Sequence, residues 1–374
     1  MSGIIKRTIK KEPVLVASWI LAFLSALLVP VDKMYITYID YRTLCLLFCL
    51  MAVTEGFKDM GIFKAAGSRL VSNVKNTFQV EAALVFICFF SSMIITNDVS
   101  LITFVPFAIE TLRLSGMENR VMSVVVMQTI AANLGSIITP IGNPQNIFIY
   151  TKYSISLPDF FLTMLPYGII SLILISAVLA VQKKENINLI HTEKPAEISD
   201  KRLLPVYSLL FILSMLTVGR LLSAKVLFAV SIISITALDR KTLKKVDYSL
   251  LLTFAGFFIF IGNIGRIGNL QSLFKSFIQG NEVISAVVSS QIISNVPSAL
   301  LLSGFTSSWR SLLIGVNIGG LGTLIASMAS LISYKLFCVS QPESSARYLR
   351  YFSVVNFIFL IAMLLIYCLI NSIM

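Results

Sequence analysis

One apolar run, Val121 to Tyr150, is long enough to cross a bilayer but contains residues that a membrane-spanning helix avoids. Its centre, residues 133–146, reads Asn-Leu-Gly-Ser-Ile-Ile-Thr-Pro-Ile-Gly-Asn-Pro-Gln-Asn. The prolines and glycines interrupt helical hydrogen bonding, and the amide and hydroxyl side chains bring polar atoms to membrane depth. Hydrocarbon cannot satisfy the freed backbone groups, so such a segment must be buried in protein or line a wet cavity. We therefore interpret it as a helix interrupted at a binding site, in preference to a proline-kinked structural helix.

The composition indicates a polytopic membrane protein. Of the 374 residues, 56% are hydrophobic and only 13% are charged, against about a quarter charged in soluble domains. The net charge of +12 does not predict nucleic-acid binding, because the basic residues stand in short stretches between apolar runs. The five cysteines all fall in apolar segments, which favours packing over disulfides or a metal site. The one histidine, His191, falls in a polar loop and is interpreted as solvated.

The apolar segments divide into two kinds. Two of them, 82–112 and 283–305, are broken at their centres by Thr96-Asn97-Asp98 and by Ser294-Asn295-Val296-Pro297, and are predicted to be re-entrant hairpins. The others are predicted to cross the membrane: 13–30, 41–55, 121–150, 158–180, 203–219, 225–238, 247–262, 307–340 (again interrupted) and 350–371.

The distribution of basic residues favours this topology. With the N-terminus inside, the C-terminus outside and both hairpins returning to their side of origin, most Lys and Arg residues fall in cytoplasmic loops, as expected for a protein of the cell membrane. If 82–112 crossed once, every later loop would change sides and the bias would collapse. The outer side receives only Lys33, Arg42, Lys152, Arg220, Lys225, Arg266, Lys275 and Arg310.

The chain also repeats itself. The segment 133–143 recurs as 317–327, and the matched pairs are Asn133 with Asn317, Gly135 with Gly319, Thr139 with Thr323, Asp40-Tyr41 with Asp247-Tyr248, and Thr96-Asn97 with Ser294-Asn295. An odd number of crossings separates the copies, so the second is predicted to be inverted. The predicted fold is all-α, an inverted-repeat transporter with two re-entrant hairpins and two interrupted helices. Its units are a first repeat (1–181), a connector loop with a linking helix (182–224) and a second repeat (225–374), with 61–79 as an amphipathic arm along the inner interface.

Four motifs, at 96–100, 139–146, 294–298 and 317–323, resemble signature elements of the ion transporter superfamily. That group includes arsenite permeases, divalent-anion/sodium symporters and NhaD-type sodium/proton antiporters. The resemblance covers nearly the whole chain in order and is closest to short bacterial anion or citrate permeases. It also implies a homodimer.

In the divalent-anion/sodium branch, the resemblance implies that a Ser-Asn-Thr triplet at each hairpin tip binds substrate carboxylates, and that each tip with its neighbouring unwound loop binds one sodium ion. The substrate-binding residues so implied are Asn97, Asp98, Asn143, Ser294, Asn295 and Thr323. The implied Na⁺ ligands are Thr96, Asn97, Asn133, Thr139, Gly142, Asn143, Ser294, Asn295, Asn317 and Ser327. The chain departs from the pattern at the third triplet position, where Asp98 and Val296 replace the hydroxyl residue, and this weakens the case for a dicarboxylate.

Asp98 has two interpretations. A carboxylate at bilayer depth usually marks an ion or proton path, so it is a candidate cation ligand or proton carrier. Alternatively, it caps the second helix of the first hairpin. If it stays charged, it repels a dianion and favours a neutral or monovalent substrate, or an anion accompanied by cations.

These features predict a secondary active transporter, an anion permease or cation-coupled anion symporter that works by alternating access. The alternative is a sodium/proton antiporter in which Asp98 titrates. No nucleotide-binding or catalytic motif occurs, so the sequence does not predict an enzyme, and the drive is an ion gradient, the membrane potential or a partner ATPase. No cofactor is predicted apart from Na⁺ or H⁺ as the coupling ion, and the expected partners are a small inorganic or organic anion, the lipid bilayer and a second copy of the chain.

Overall fold

The computed structural model describes residues 12–71, 74, 76–182, 185 and 198–373. These residues form helices joined by short loops and contain no strand, which confirms the predicted all-α class. His191 and most of the connector loop lie outside the described residues, as do the basic residues of the N-terminus.

The helices, in chain order, are α1 (Pro13–Leu28), α2 (Met34–Tyr38), α3 (Tyr41–Asp59), α4 (Ile62–Val71), α5 (Thr77–Ile95), α6 (Asn97–Leu114), α7 (Val121–Gly135), α8 (Pro144–Lys152), α9 (Leu157–Ala180), α10 (Leu204–Val218), α11 (Ala224–Leu238), α12 (Arg240–Leu243), α13 (Tyr248–Ile264), α14 (Gly268–Ile278), α15 (Glu282–Ile293), α16 (Asn295–Leu302), α17 (Trp309–Ile318), α18 (Met328–Ser340) and α19 (Ser345–Ile373). Three 3₁₀ turns accompany them, at Glu118–Arg120, Ser136–Ile138 and Pro342–Ser344.

Several of these helices suit a membrane. Four helical stretches are long and apolar enough to span one by length and composition, namely Thr77–Ile95, Glu118–Ile138, Leu157–Ala180 and Pro342–Ser372. Shorter apolar helices, such as α1, α10, α11 and α13, accompany them. The chain is therefore a multi-pass membrane protein, as predicted.

The helices of the first half recur in the second half in the same order. Helices α1 to α9 correspond to α11 to α19, and α10 links the two sets. The predicted Asp-Tyr pairs begin α3 and α13, where Asp40 accepts a hydrogen bond from the Thr43 N–H and Asp247 accepts one from the Leu250 N–H. The inverted orientation of the copies and the re-entrant course of the hairpins stay predictions.

Some boundaries differ from the predicted ones. The amphipathic arm is shorter than 61–79, because α4 ends at Val71 and Asn76 caps α5. Its counterpart α14, Gly268–Ile278, was not predicted at all, because its apolar residues are separated by polar ones and give no continuous apolar run, although they stand at helical spacing. Short helices α2 and α12 were also not predicted.

The helices pack in two groups. The first contains α1, α3, α10, α11 and α13, in which α1 packs on α13 and α3 packs on α10 and α11. The second contains the two hairpins and the two interrupted helices. Within it the repeats exchange partners, because α18 packs on α6 and α7 whereas α8 packs on α16 and α17. The polar centre of the molecule lies in this second group.

Candidate functional site

Each hairpin turns at a single residue in an unusual backbone conformation. Thr96 separates α5 from α6 with φ 71° and ψ 150°, and Ser294 separates α15 from α16 with φ 74° and ψ 155°. Glycine is almost the only residue that adopts this region freely, and each such residue costs about 1–3 kcal/mol. The same strain in both copies indicates that the tips have a function beyond reversing the chain.

Each tip contacts the interrupted segment of its own repeat, which we call the first break (residues 136–143) and the second break (residues 319–327). The Asn97 N–H donates to the Gly142 carbonyl at 3.1 Å, and the Asn295 N–H donates to the Ala326 carbonyl at 3.0 Å. The two bonds are equivalent in the two repeats.

A threonine in each break makes a second equivalent bond. Thr139 Oγ1 donates to the Met93 carbonyl at 2.6 Å, and Thr323 Oγ1 donates to the Gln291 carbonyl at 3.0 Å. Met93 and Gln291 both lie three residues before their tips. The predicted ligands Thr139 and Thr323 therefore use their hydroxyl protons to attach the hairpins, which leaves the hydroxyl oxygens as acceptors.

Serine pairs join the two legs of each hairpin. Ser91 and Ser100 are hydrogen-bonded at 2.8 Å, and Ser289 and Ser298 form the equivalent pair. Ser100 and Ser298 belong to the motifs at 96–100 and 294–298, but their pairing with Ser91 and Ser289 was not predicted. The signal was present, since in both repeats one serine stands five residues before the tip and the other four residues after it.

The first break contains the 3₁₀ turn Ser136–Ile138 and ends at Asn143, whose side chain caps α8 by accepting from the Asn146 N–H at 2.9 Å. Asn146 Nδ2 donates to the carbonyls of Ser136 and Thr139 at 3.2 and 3.0 Å, so it binds carbonyls that the interruption frees. A Cβ at Gly142 would stand 2.1 Å from the Ser136 carbonyl oxygen, and only glycine fits there.

The two breaks meet through asparagine side chains. Ser327, at the cap of α18, donates to Asn133 Oδ1 at 3.0 Å, and Asn143, at the cap of α8, donates to Asn317 Oδ1 at 3.1 Å. Asn317 Nδ2 in turn donates to Asn146 Oδ1 at 2.8 Å. Each repeat thus completes the hydrogen bonding of the other.

The tip asparagines join the same cluster. Asn97 Nδ2 donates to Asn133 Oδ1 at 3.0 Å, and Asn133 Nδ2 reaches the Gly320 carbonyl at 3.4 Å. Gly320 lies against the amide of Asn295, since a Cβ there would stand 2.9 Å from Asn295 Nδ2. Asn97 and Asn295 are each only 4% exposed. The structure therefore brings together the residues predicted from the two halves, which we call the asparagine cluster: Asn97, Asn133, Asn143, Asn295, Asn317 and Ser327.

Asp98 and Ser294 stand beside this cluster. Asp98 lies in the first turn of α6, where its carboxylate can interact with the helix dipole as predicted. It does not occupy the predicted cap position, which belongs to Thr96. Its Oδ1 atom is buried without a hydrogen-bond partner in the described part of the chain. Ser294 Oγ makes only a long contact, 3.4 Å, to Asn295 Oδ1.

Comparison of the sequence with family models and with known proteins identifies the family. The family model described as "Citrate transporter" matches residues 4–308. The chain belongs to the citrate transporter family. It is thus a membrane transporter and not an enzyme, and the resemblance drawn from the motifs is confirmed.

Relatives agree with this assignment. An uncharacterized transporter of Methanocaldococcus jannaschii is 34% identical over 320 residues, which cover 85% of this chain and 86% of the relative. The inner membrane protein YbiR of Escherichia coli is 30% identical over 306 residues, 80% of each chain. A silicon efflux transporter of Oryza sativa is 30% identical over 128 residues, which cover 34% of this chain and 26% of that protein.

Proposed function

We propose that this member of the citrate transporter family is a secondary active transporter that moves a small anion, or its neutral acid, in a cation-coupled alternating-access cycle. The observation that carries the proposal is the asparagine cluster, in which both hairpin tips and both breaks supply buried amide and hydroxyl groups to one place. Broken backbone and polar side chains at membrane depth are characteristic of transporter binding sites.

The cluster suits a small solute that is bound by hydrogen bonds. The tips and breaks contain no Lys or Arg, so an anion would be held by amide N–H groups and by the N-terminal turns of α6 and α16. Na⁺ prefers hard oxygen ligands, and the oxygens of Thr96 and Thr139 beside the first tip and of Ser294 and Thr323 beside the second are of that kind. Two cation positions, one beside each tip, follow from this arrangement.

Asp98 bears on the charge of the substrate. An ionised carboxylate beside the first tip would repel a bare dianion, which favours a neutral or monovalent solute, or an anion such as citrate that travels with a bound cation. The functions named for the family and for one relative, citrate transport and silicon efflux by the rice protein, are both compatible with that class.

The two packing groups offer a moving part and a fixed part. We expect the group with the hairpins and breaks to shift against the group α1, α3, α10, α11 and α13. The two groups touch where α3 meets α8 and where α13 meets α16. The tips and the asparagine cluster lie within one group, so solute bound there would move with it.

Uptake into proteoliposomes tests the proposal. The panel contains arsenite, silicic acid, sulfate, citrate with and without Mg²⁺, succinate and a monocarboxylate, each with and without gradients of Na⁺ and of pH. We expect Asn97→Ala and Asn295→Ala each to abolish flux, whereas Asn356→Ala, which removes a buried asparagine bonded only to its own helix, keeps it. Full transport by both tip variants would refute this site.

A second candidate, sodium/proton antiport, is favoured by the buried Asp98 Oδ1 atom, which has no hydrogen-bond partner among the described residues. It predicts pH-dependent exchange of radioactive sodium without any anion. Asp98→Asn would then abolish the exchange, and anion-dependent flux in the same vesicles would favour the first candidate instead.

A further inference from the structure

The side chain of Gln291 attaches the second hairpin to the second break. Its Nε2 atom donates to the carbonyls of Gly319 and Leu321, both at 3.0 Å, and its Oε1 atom accepts from the Thr323 N–H at 2.8 Å. Gly322 makes this possible, because its φ is +100° and a Cβ there would stand 2.4 Å from Gln291 Oε1. The side chain of Gln291 thus binds three backbone groups of the second break to helix α15 of the second hairpin.

The first repeat lacks this attachment. Met93 occupies the equivalent place, three residues before the tip, and a thioether cannot donate a hydrogen bond. The carbonyls of the first break are bound instead by Asn146, which belongs to α8 and not to the hairpin. In the first break, α8 thus supplies through Asn146 the carbonyl donors that the hairpin itself supplies through Gln291 in the second break.

The two hairpins consequently differ in what their separation would cost. When the first hairpin leaves its break, it loses the bonds of Asn97 to Gly142 and of Thr139 to Met93. The second hairpin would lose the equivalent two bonds, and it would also leave two carbonyls and one N–H of the break unpaired at membrane depth. Unpaired buried groups are more costly than the net value of a hydrogen bond, so the tip separates from its break more easily in the first hairpin. The legs of the first hairpin stay attached to α7, because Gln128 Nε2 donates to the Leu84 and Phe104 carbonyls.

We propose that Gln291 is a positioning residue that makes the second hairpin and the second break one rigid unit, so that the tip of the first hairpin is the one that separates from its break to admit solute. This inference rests on the proposed alternating-access function and adds which of the two tips moves. The side chain of Asn97 also bonds Asn133. Both residues belong to the asparagine cluster, so we expect solute bound there to compete for this bond.

Hydrogen exchange of the whole protein in lipid nanodiscs tests the inference. The amides of Asn97 and Asn295 are matched reporters, since both residues are 4% exposed and each N–H donates to a carbonyl of its own break. After correction for intrinsic rates, we expect the Asn295 amide to exchange at least about tenfold more slowly than the Asn97 amide. Equal rates in the unmodified protein would overturn the inference.

Three substitutions sharpen the test. Gln291→Met copies the first repeat and should accelerate exchange at Asn295 about tenfold while leaving Asn97 unchanged. Gln291→Glu in its neutral form keeps an acceptor for the Thr323 N–H and one O–H donor for the two carbonyls, and should give an intermediate rate. Met93→Gln alters the matched position and should leave Asn295 unchanged. A slow Asn295 amide in Gln291→Met would refute the assigned role.

Two controls separate the possible failures. If Gln291→Met also accelerated exchange of the Asn97 amide, the substitution would have destabilised the whole protein. The exchange rates of the unmodified protein and of Gln291→Glu would then decide the test. The exchange rates need no substrate, so a protein that transports nothing in the uptake panel counts against the proposed function and not against the asymmetry of the hairpins.

Discussion

Threonine and serine stand at the two hairpin tips, where glycine would adopt the backbone conformation at lower cost. The strain is present in both copies, and from it we infer that the hydroxyl side chains of Thr96 and Ser294 contribute something that glycine cannot. A hydroxyl oxygen at the tip is an additional ligand for a cation, and this is the role that the proposed function gives to both residues.

The tip residues yield a prediction in which stability and transport diverge. Thr96→Gly and Ser294→Gly relieve about 1–3 kcal/mol of strain, partly offset by the entropy of glycine in the unfolded chain, so the melting temperature should not fall. Cation-dependent uptake should fall at least about tenfold with the lost ligand. Ser154→Gly relieves a positive φ of 52° away from the tips and should leave coupling unchanged. Undiminished coupling in both tip variants would contradict the ligand role.

A buried ion pair gives a second prediction at this scale. Glu81, whose side chain is 1% exposed, accepts from Arg120 at 3.0 Å, and its second oxygen has no partner in the described part of the chain. Arg120→Ala leaves a buried carboxylate without its charge partner and should cost about 3–5 kcal/mol in thermal unfolding. Glu81→Gln should cost less, because the 19% exposed Arg120 side chain still donates to Gln182. Lys58→Ala, in a partly exposed pair with Glu55, should cost under about 1 kcal/mol; equal costs for all three would contradict this account.

At the scale of elements, the interrupted helices depend on close backbone approaches. The first break folds back so tightly that Gly142 lies against the Ser136 carbonyl, and the same turn presents the Gly142 carbonyl to the Asn97 N–H. The geometry of the break and the docking of the first hairpin are therefore parts of one arrangement.

We expect Gly142→Ala to disrupt that arrangement. The added Cβ would stand 2.1 Å from a backbone oxygen, which must move, so we expect a loss of about 1–3 kcal/mol in stability and loss of uptake. Gly268→Ala is the matched control, since a Cβ at the start of α14 meets nothing within 4 Å. Normal uptake by Gly142→Ala would show that the break tolerates rearrangement.

The elements also show what could be predicted from the sequence. Hairpins and breaks were predictable because polar residues are conspicuous in a long apolar run. The internal repeat also identified Asn133 and Asn317 as equivalent positions. The roles of Asn146 and Gln291 were not predictable, because each depends on a side chain meeting carbonyls of another segment. For Gln291 that segment lies about thirty residues later, and nothing in a local pattern records such a meeting. Helix α14 was missed because an interfacial helix mixes polar and apolar residues within each turn.

At the scale of the whole molecule, the orientation in the membrane is the main structural prediction. The distribution of basic residues puts the loop before α3 and helix α14 outside, and the loops after α6 and α11 inside. This assignment also determines from which side each hairpin enters.

Labelling of single cysteines by a membrane-impermeant maleimide checks the orientation. In a chain whose five native cysteines are replaced by alanine, Lys33→Cys and Lys275→Cys should react in intact cells. Glu118→Cys and Lys241→Cys should react only after the membrane is opened. Reaction of Lys33→Cys and Lys241→Cys from the same side would refute the inverted arrangement.

The exchange of partners between the repeats has a consequence for how such a chain can be divided. Helix α8 packs on the second hairpin and α18 packs on the first. A separated first half would therefore leave Asn133 and Asn143 without their partners from the second repeat, and a separated second half would leave Ser327 and Asn317 without theirs. We therefore expect that neither half folds by itself. A chain cut in the connector and expressed as two fragments should regain its structure only when both fragments are synthesised in the same cell.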